Sequence, residues 1–379
     1  MDDTANLALL PEGLHDDLPP LAAHEARVIE RLIGAFSAQG YERVKPPLIE
    51  FEESLLAGPG ASVARHMFRL MDPISQRMMA VRADMTTQVA RIAITRLREL
   101  PRPLRLCYAG QVLRVRGAQL RPERQFAQAG VELIGADLPA GDAEVVLLAA
   151  ESLRAVGVEQ LSVDLTVPSL VPIVCDHFGL APGLAERVRA ALDRKDRAAL
   201  DSLPDDAKAL LSGVLDAAGP VASALPALRA LALPLGARAI ADRLTEVVAS
   251  LQADGGDLTM TVDPGESRGF EYQTGVSFTL LAKGVRGELG RGGRYDLATG
   301  EPATGFTLYM DSVMRALPGP TNDRKLYLPA GTPASAAKRC RADGWRTVRG
   351  LAAVGSTPDE ARRLGCSHVF LDGAAVEVN

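Results

Sequence analysis

Two apolar stretches, Leu106 to Leu113 and Ala127 to Ile134, flank a polar loop that carries Arg114, Arg116, Arg121 and Arg124. Apolar runs of this length joined by a charged connection read as an antiparallel strand pair, which commits the chain to a sheet whose remaining strands lie elsewhere. Alternating apolar positions supply them: Leu161, Val163 and Leu165, then Leu258, Met260 and Val262, then Val276, Phe278 and Leu280. Between the first two of these, residues 171 to 251 form an Ala- and Leu-rich helical series broken at Pro182, Pro204, Pro220 and Pro234, the pattern of a helical insertion between strands. Val28, Leu32 and Phe36, with Ile29 and Ile33 beside them, predict an amphipathic helix stopped by Gly40, and Asp142 to Val156 predicts another ending at Gly157.

With 379 residues, 47% hydrophobic and 23% charged, the chain can bury one large core and carry an appendage. Aromatic residues make up only 4%, so the core is built from Leu, Val and Ala. A net charge of −5 gives no general attraction to phosphate backbones. Cys107, Cys175, Cys340 and Cys366 lie far apart without a Cys-x-x-Cys pair, which argues against a disulfide framework or a zinc site and fits a reducing cytosol. The acidic N-terminus and the lack of any run of eighteen apolar residues predict a cytoplasmic protein with no membrane association. The five histidines have no metal-ligand spacing and no Gly-x-Ser-x-Gly occurs, so neither a metal, a cofactor nor a serine nucleophile is implied.

After Pro318-Gly319-Pro320 the pattern changes to short strands (326–328, 347–351, 368–371) alternating with short helices (334–343, 358–364), which predicts a small parallel sheet. The expected organisation is a core of residues 1–320, with the helical insertion at about 171–251, followed by a small α/β domain of residues 321–379.

Four clusters could carry chemistry: Arg82-Ala-Asp84-Met-Thr86; the arginine loop with Gln128 and Glu132 beyond it; Arg268-Gly-Phe-Glu-Tyr272-Gln273; and Gly292-Gly-Arg294-Tyr295-Asp296. Composition alone favours a solvated arginine loop paired with Glu123. Gln128 and Glu132, four apart in a strand, share one face, and burying them demands a partner: a cationic or amine-bearing ligand or, equally, a structural arginine. Taken alone, both glycine-bearing clusters favour hairpin turns.

Together and in order, these clusters resemble the catalytic core of histidyl-tRNA synthetase, a class II synthetase. Residues Leu10 to Pro19 resemble its opening segment, the first helix with Gly40 to Glu50 resembles motif 1, and Leu113-Arg114 through Glu132 resembles motif 2 with its return strand. Arg268 to Tyr272 and Gly292 to Asp296 resemble the two histidine-specific signatures. The fold this implies is α+β: a class II synthetase-like antiparallel sheet flanked by helices, with a helical insertion and a reduced anticodon-binding-like C-terminal domain.

Departures from the synthetase pattern point to function. Arg116 stands where motif 2 has a Glu, and Gly305-Phe306-Thr-Leu-Tyr309-Met-Asp311-Ser312 stands where motif 3 has Gly-Phe-x-x-Gly-Leu-Glu-Arg, so a nucleotide-binding arginine is replaced by Ser312 and a glycine by Tyr309. Asp84, Thr86, Gln128, Glu132, Arg268 and Tyr272 match positions that hold histidine in the synthetase, with Gln273 in place of a second Tyr. In these departures the chain is similar to the regulatory subunit of ATP phosphoribosyltransferase. That resemblance implies a non-catalytic homodimer, joined through the motif 1 region, that assembles with the short-form catalytic subunit into a hetero-octamer. It would activate the first step of histidine biosynthesis and transmit feedback inhibition by histidine, without binding tRNA. The candidate histidine-binding set is Asp84, Thr86, Arg114, Gln128, Glu132, Arg268 and Tyr272. The alternatives are an active histidine–tRNA ligase and a class II synthetase paralogue that modifies or senses amino acids.

Overall fold

A computed structural model describes residues 9–57, 64–118, 121–267, 269, 272–320 and 324–378. The chain divides into two compact units, Met1–Pro318 and Gly319–Asn379. The first opens with helix α1 (Leu21–Ala38), whose buried stripe is Val28, Leu32, Ile33 and Phe36. Gly40 ends it at φ +84°, where its N–H donates to the Ser37 carbonyl at 3.0 Å. Strand β1 (Glu42–Arg43) follows, then β2 (Ile49–Phe51), the short α2 (Glu52–Leu55), β3 (Arg69–Met71) and β4 (Met78–Val81). Strands β2, β4 and β3 form a small antiparallel sheet of their own.

Helix α3 (Thr86–Thr95) leads into the expected strand pair, β5 (Leu104–Leu113) and β6 (Gln125–Ile134), in unbroken register from Leu104 opposite Ile134 to Leu113 opposite Gln125. Next come α4 (Pro139–Val156), closed by Gly157 at φ +108°, and β7 (Leu161–Thr166). The insertion comprises α5 (Leu170–His177), α6 (Pro182–Asp193), α7 (Asp205–Asp216), β8 (Gly219–Pro220), α8 (Val221–Ala230) and α9 (Leu235–Asp254). The four prolines that break its pattern act as starts: Pro182 is the first residue of α6, and Pro204, Pro220 and Pro234 immediately precede α7, α8 and α9, whereas Pro226 lies inside α8. Proline lacks an N–H that the first helical turn would leave unpaired.

Strands β9 (Thr259–Val262), β10 (Gln273–Ala282), β11 (Gly290–Asp296) and β12 (Pro302–Tyr309) and helix α10 (Met310–Ala316) complete the unit. Its main sheet runs β1-β5-β6-β12-β11-β10-β7-β9-β8. From β5 to β7 every pairing is antiparallel, whereas β1 joins β5 and β9 joins β7 in parallel, so the sheet is mixed. One face packs Val131, Leu133, Phe278, Leu280, Phe306 and Leu308 against α1, α4 and the insertion. On the other, Tyr108, Phe126, Tyr295 and Tyr309 pack with Met85 and Val89.

Gly292 and Gly293 do not form a turn. They lie inside β11, where a Cβ on Gly292 would meet the Phe278 ring at 2.3 Å and the Gly305 carbonyl at 2.5 Å, so glycine there permits close packing within the sheet.

The second unit contains β13 (Lys325–Leu328), α11 (Ala334–Ala342), β14 (Arg346–Arg349), α12 (Thr357–Arg363), β15 (His368–Leu371) and β16 (Ala374–Glu377), with sheet order β14-β13-β15-β16. The first three strands are parallel, but β16 returns antiparallel to β15 through Asp372-Gly373, both at positive φ, so the sheet is not wholly parallel. An Asp-Gly pair suits the hairpin turn whose two central residues both need positive φ.

Candidate functional site

Alternation along β6 sends Ala127, Ala129, Val131 and Leu133 into the helix-covered core, so Gln128, Gly130 and Glu132 face the opposite side. Glu132 is 1% exposed. The Tyr295 hydroxyl donates to its Oε2 at 2.9 Å and the Tyr108 hydroxyl to its Oε1 at 3.3 Å. Among the described residues no cation pairs with this carboxyl. Burial raises its pKa from 4.5 to about 8, against the lowering effect of its hydroxyl partners, so it is protonated at neutral pH. The room it occupies is created by Gly305, its neighbour across β12, where a Cβ would lie 1.9 Å from Glu132 Oε2.

A second polar group adjoins it. The fully buried Gln128 donates from Nε2 to Asp84 Oδ2 at 2.9 Å and accepts from the Met85 N–H at 3.1 Å. Asp84 Oδ1 in turn accepts from the Thr86 N–H at 2.9 Å, which fixes the start of α3. The Thr86 and Tyr108 hydroxyls are 3.2 Å apart, and those of Tyr108 and Thr307 are 2.8 Å apart. Tyr272 meets Tyr295 edge to face at 5.7 Å. Thr86, Glu132, Tyr272, Arg291, Gly293 and Thr307 line a cleft of about 20 Å³, room for little more than one water.

Asp84, Thr86, Gln128, Glu132 and Tyr272 thus belong to one connected group, of which Thr86, Glu132 and Tyr272 line the cleft while Asp84 and Gln128 stand behind it. Arg114 does not line this cleft: its Nε donates to the Ala83 carbonyl at 3.3 Å and its guanidinium lies over the Phe126 ring. Arg268 lies outside the described residues. Sequence reasoning missed Tyr108, Thr307 and Arg291. The signal for Arg291 was the period-two alternation that puts it on the same face of β11 as Gly293 and Tyr295.

Beyond Arg291 the chain fills its own space. Arg291 donates to Glu288 Oε2 at 3.1 Å, and Arg121 donates to Glu288 Oε1 at 2.9 Å while its guanidinium stacks 3.6 Å from the centre of the Tyr309 ring. Arg124 donates to the Glu12 and Arg114 carbonyls. The arginine loop is therefore not a freely solvated one; Arg121 is 12% exposed because its charge is neutralised by Glu288 and its flat face is covered by Tyr309. Ser312 is fully buried, and its Oγ accepts from Arg315.

Arg294 faces away from the cleft. With Arg243 it neutralises the buried Asp142: Arg294 Nη2 lies 2.8 Å from Oδ1, Arg243 Nε lies 2.8 Å from Oδ2, and the Thr304 hydroxyl donates at 2.6 Å.

The histidyl-tRNA synthetase family model matches residues 13–313. An ATP phosphoribosyltransferase regulatory subunit from Rhodospirillum centenum is 58% identical over 374 residues, 98% of this chain and 97% of that one. Its counterpart from Paramagnetospirillum magneticum is 56% identical over the whole length of both chains. A crystal structure described as an ATP phosphoribosyltransferase regulatory subunit/histidyl-tRNA synthetase from Bacillus halodurans superposes with a TM-score of 0.82 at 25% identity, covering 93% of this chain and 96% of that one. No helix among the described residues is long and apolar enough to cross a membrane. A synthetase fold throughout residues 13–313 and end-to-end similarity to these regulatory subunits place the chain in the ATP phosphoribosyltransferase regulatory subunit family.

Proposed function

We propose that the chain is a non-catalytic regulatory subunit of ATP phosphoribosyltransferase that binds histidine in the cleft around Glu132 and acts on a short-form catalytic subunit in the first step of histidine biosynthesis. The observation that carries this reading is an asymmetry. A polar, uncompensated carboxyl is retained at one end of the site, while Arg121 stacked on Tyr309 occupies the region beside motif 3. Asp84, Gln128 and Glu132 offer acceptors to the ammonium and imidazole groups of the ligand, and Tyr272 offers a ring edge. Arg291 adds a cation on the cleft wall, and Arg114 and Arg268 remain the sequence-derived partners for the ligand carboxylate.

A cleft of about 20 Å³ is far below the roughly 300 Å³ at which small-molecule sites begin. Binding must therefore widen it, and a ligand that binds only a widened state shifts the balance between two conformations, as an effector must. In this reading α1 and the segment after it form a homodimer on which catalytic subunits assemble as a hetero-octamer. The unit after Pro318 is a reduced anticodon-binding-like domain, and it does not bind tRNA: beyond Pro320 nine Lys and Arg face six Asp and Glu, only a weakly basic balance.

The test mixes the purified chain with a short-form catalytic subunit and follows phosphoribosyl-ATP formation, with ATP–pyrophosphate exchange measured on the chain alone. Stimulation without exchange, together with histidine binding by calorimetry, is expected. Histidine-dependent exchange would return the chain to the ligases, and absence of histidine binding to both subunit and complex would remove the effector role.

A further inference from the structure

A second cavity, of about 330 Å³, lies at the Phe126 end of the first unit and shares no lining residue with the Glu132 cleft. Its walls come from the segment before α1, from α1, from the Gln111 and Gln125 ends of β5 and β6, and from α10. Four carboxylates line it, those of Asp17, Glu25, Glu123 and Asp311, against a single guanidinium, Arg315. Leu21, Phe126 and Met314 supply an apolar wall.

The acidic groups are poorly compensated. The Asp311 side chain is only 7% exposed, yet its Oδ1 has no hydrogen-bond partner, and Glu123 Oε2 is buried in the same condition. Arg315 stands 3.5 Å from Asp311 and 3.7 Å from Glu123, longer than the roughly 2.7–2.9 Å of a charge-assisted hydrogen bond. His15 lies 3.4 Å from Asp17 at the mouth. Burial pushes the Glu25 and Asp311 carboxyls up; Asp17 and Asp311 push Glu25 further against His15, and Arg121 and Arg315 offset the effect at Asp311 only in part. A buried acceptor left unpaired keeps its desolvation penalty, the more so when charged, so a cation here would relieve a cost already present in the fold.

We propose that this cavity binds a small organic cation, an ammonium, guanidinium or amidinium group carried on an apolar stem. The head pairs with Asp311 and Glu123, and the stem lies along Phe126, Leu21 and Met314. Its volume falls within the range of small-molecule sites, and the apolar wall beside a few convergent charges is their usual make-up. The same four carboxylates repel phosphate groups, so the cavity excludes nucleotides.

Calorimetric titration of the full-length chain with agmatine and with benzamidine tests this, using ATP as the anionic control and repeating the titrations in saturating L-histidine. At least one of the two cations is expected to bind with one-to-one stoichiometry and unchanged affinity in histidine, and ATP is expected not to displace it. Asp311→Asn should weaken that cation at least tenfold, and Glu25→Gln, half-buried on α1, about threefold; if the first variant fails to fold, the second decides. Absence of heat with both cations, unaltered affinity in a folded variant, or displacement by ATP would overturn the proposal.

Discussion

Replacing Glu132 by Gln gives the sharpest check on the site. Its carboxyl has a pKa raised from 4.5 to about 8 by burial, so between those values the native state holds a proton that the unfolded chain has released. Native stability from this group is complete below pH 4.5, declines as pH rises and is lost by about pH 8. At about 1.4 kcal/mol per decade of proton affinity, the interval corresponds to about 5 kcal/mol, of which about 2 kcal/mol falls between pH 6 and pH 8. Glu132→Gln is neutral throughout and keeps the hydroxyls of Tyr108 and Tyr295 within reach, so its stability lacks that decline. Urea unfolding across this range should be followed by far-UV circular dichroism, because the single tryptophan, Trp345, lies in the Gly319–Asn379 unit. Other titrating groups are common to both proteins, so the difference between the two profiles isolates Glu132. A cationic ligand that pairs with the carboxylate should also release about 0.9 proton on binding at pH 7, read from calorimetry in buffers of different ionisation enthalpy. Parallel pH profiles for the wild type and Glu132→Gln would refute the reasoning.

Three further outcomes follow from the geometry. Gly305→Ala places a Cβ 1.9 Å from Glu132 Oε2 and 2.5 Å from the Val131 carbonyl; it should cost about 1–3 kcal/mol by overpacking, seen as a lowered melting temperature, and abolish histidine binding in titration. Asp142→Ala leaves the 5%-exposed Arg294 without its buried counter-charge, a loss of about 3–5 kcal/mol measurable by urea unfolding. Ser312→Arg restores one motif 3 residue but leaves Arg121 over Tyr309, and it should show no ATP–pyrophosphate exchange.

Local periodicity disclosed most of the framework. The β5–β6 pair, the helices stopped by Gly40 and Gly157, and the proline-punctuated insertion all follow from patterns a few residues long. The parallel attachment of β1 and β9 at the sheet margins did not, because pairing between distant segments leaves no local periodicity. Gly292-Gly293 departs from the expected turn for a related reason. Tight turns and close packing both require glycine, and only the approach of Phe278 and Gly305 tells them apart. At the site, Gln128 and Glu132 were visible as two polar residues on one strand face, but Tyr108 and Thr307 became their neighbours only through the register of three strands. For β16, the local signal is the Asp372-Gly373 pair, whose two positive-φ residues suit a hairpin turn.

The polar pair on β6 admits either a structural arginine or a ligand as its partner, and a second buried acid in the same unit shows what the first alternative looks like. Asp142 is as buried as Glu132, each 1% exposed, but it has two guanidinium partners and a hydroxyl donor, so removing it disrupts a closed network. Glu132 has two tyrosine hydroxyls and, among the described residues, no cation, so its proton compensates for the missing charge. Arg294 in β11 illustrates the division: it points at Asp142, while the next residue, Tyr295, points at Glu132. A single-residue step along one strand thus separates a carboxylate held between two guanidinium groups from one that keeps its proton, which is what the proposed exchange with a ligand's positive charge requires. The comparison makes a quantitative demand. The Asp142→Ala loss should be insensitive to added histidine, whereas the pH-dependent loss at Glu132 should diminish as histidine fills the cleft.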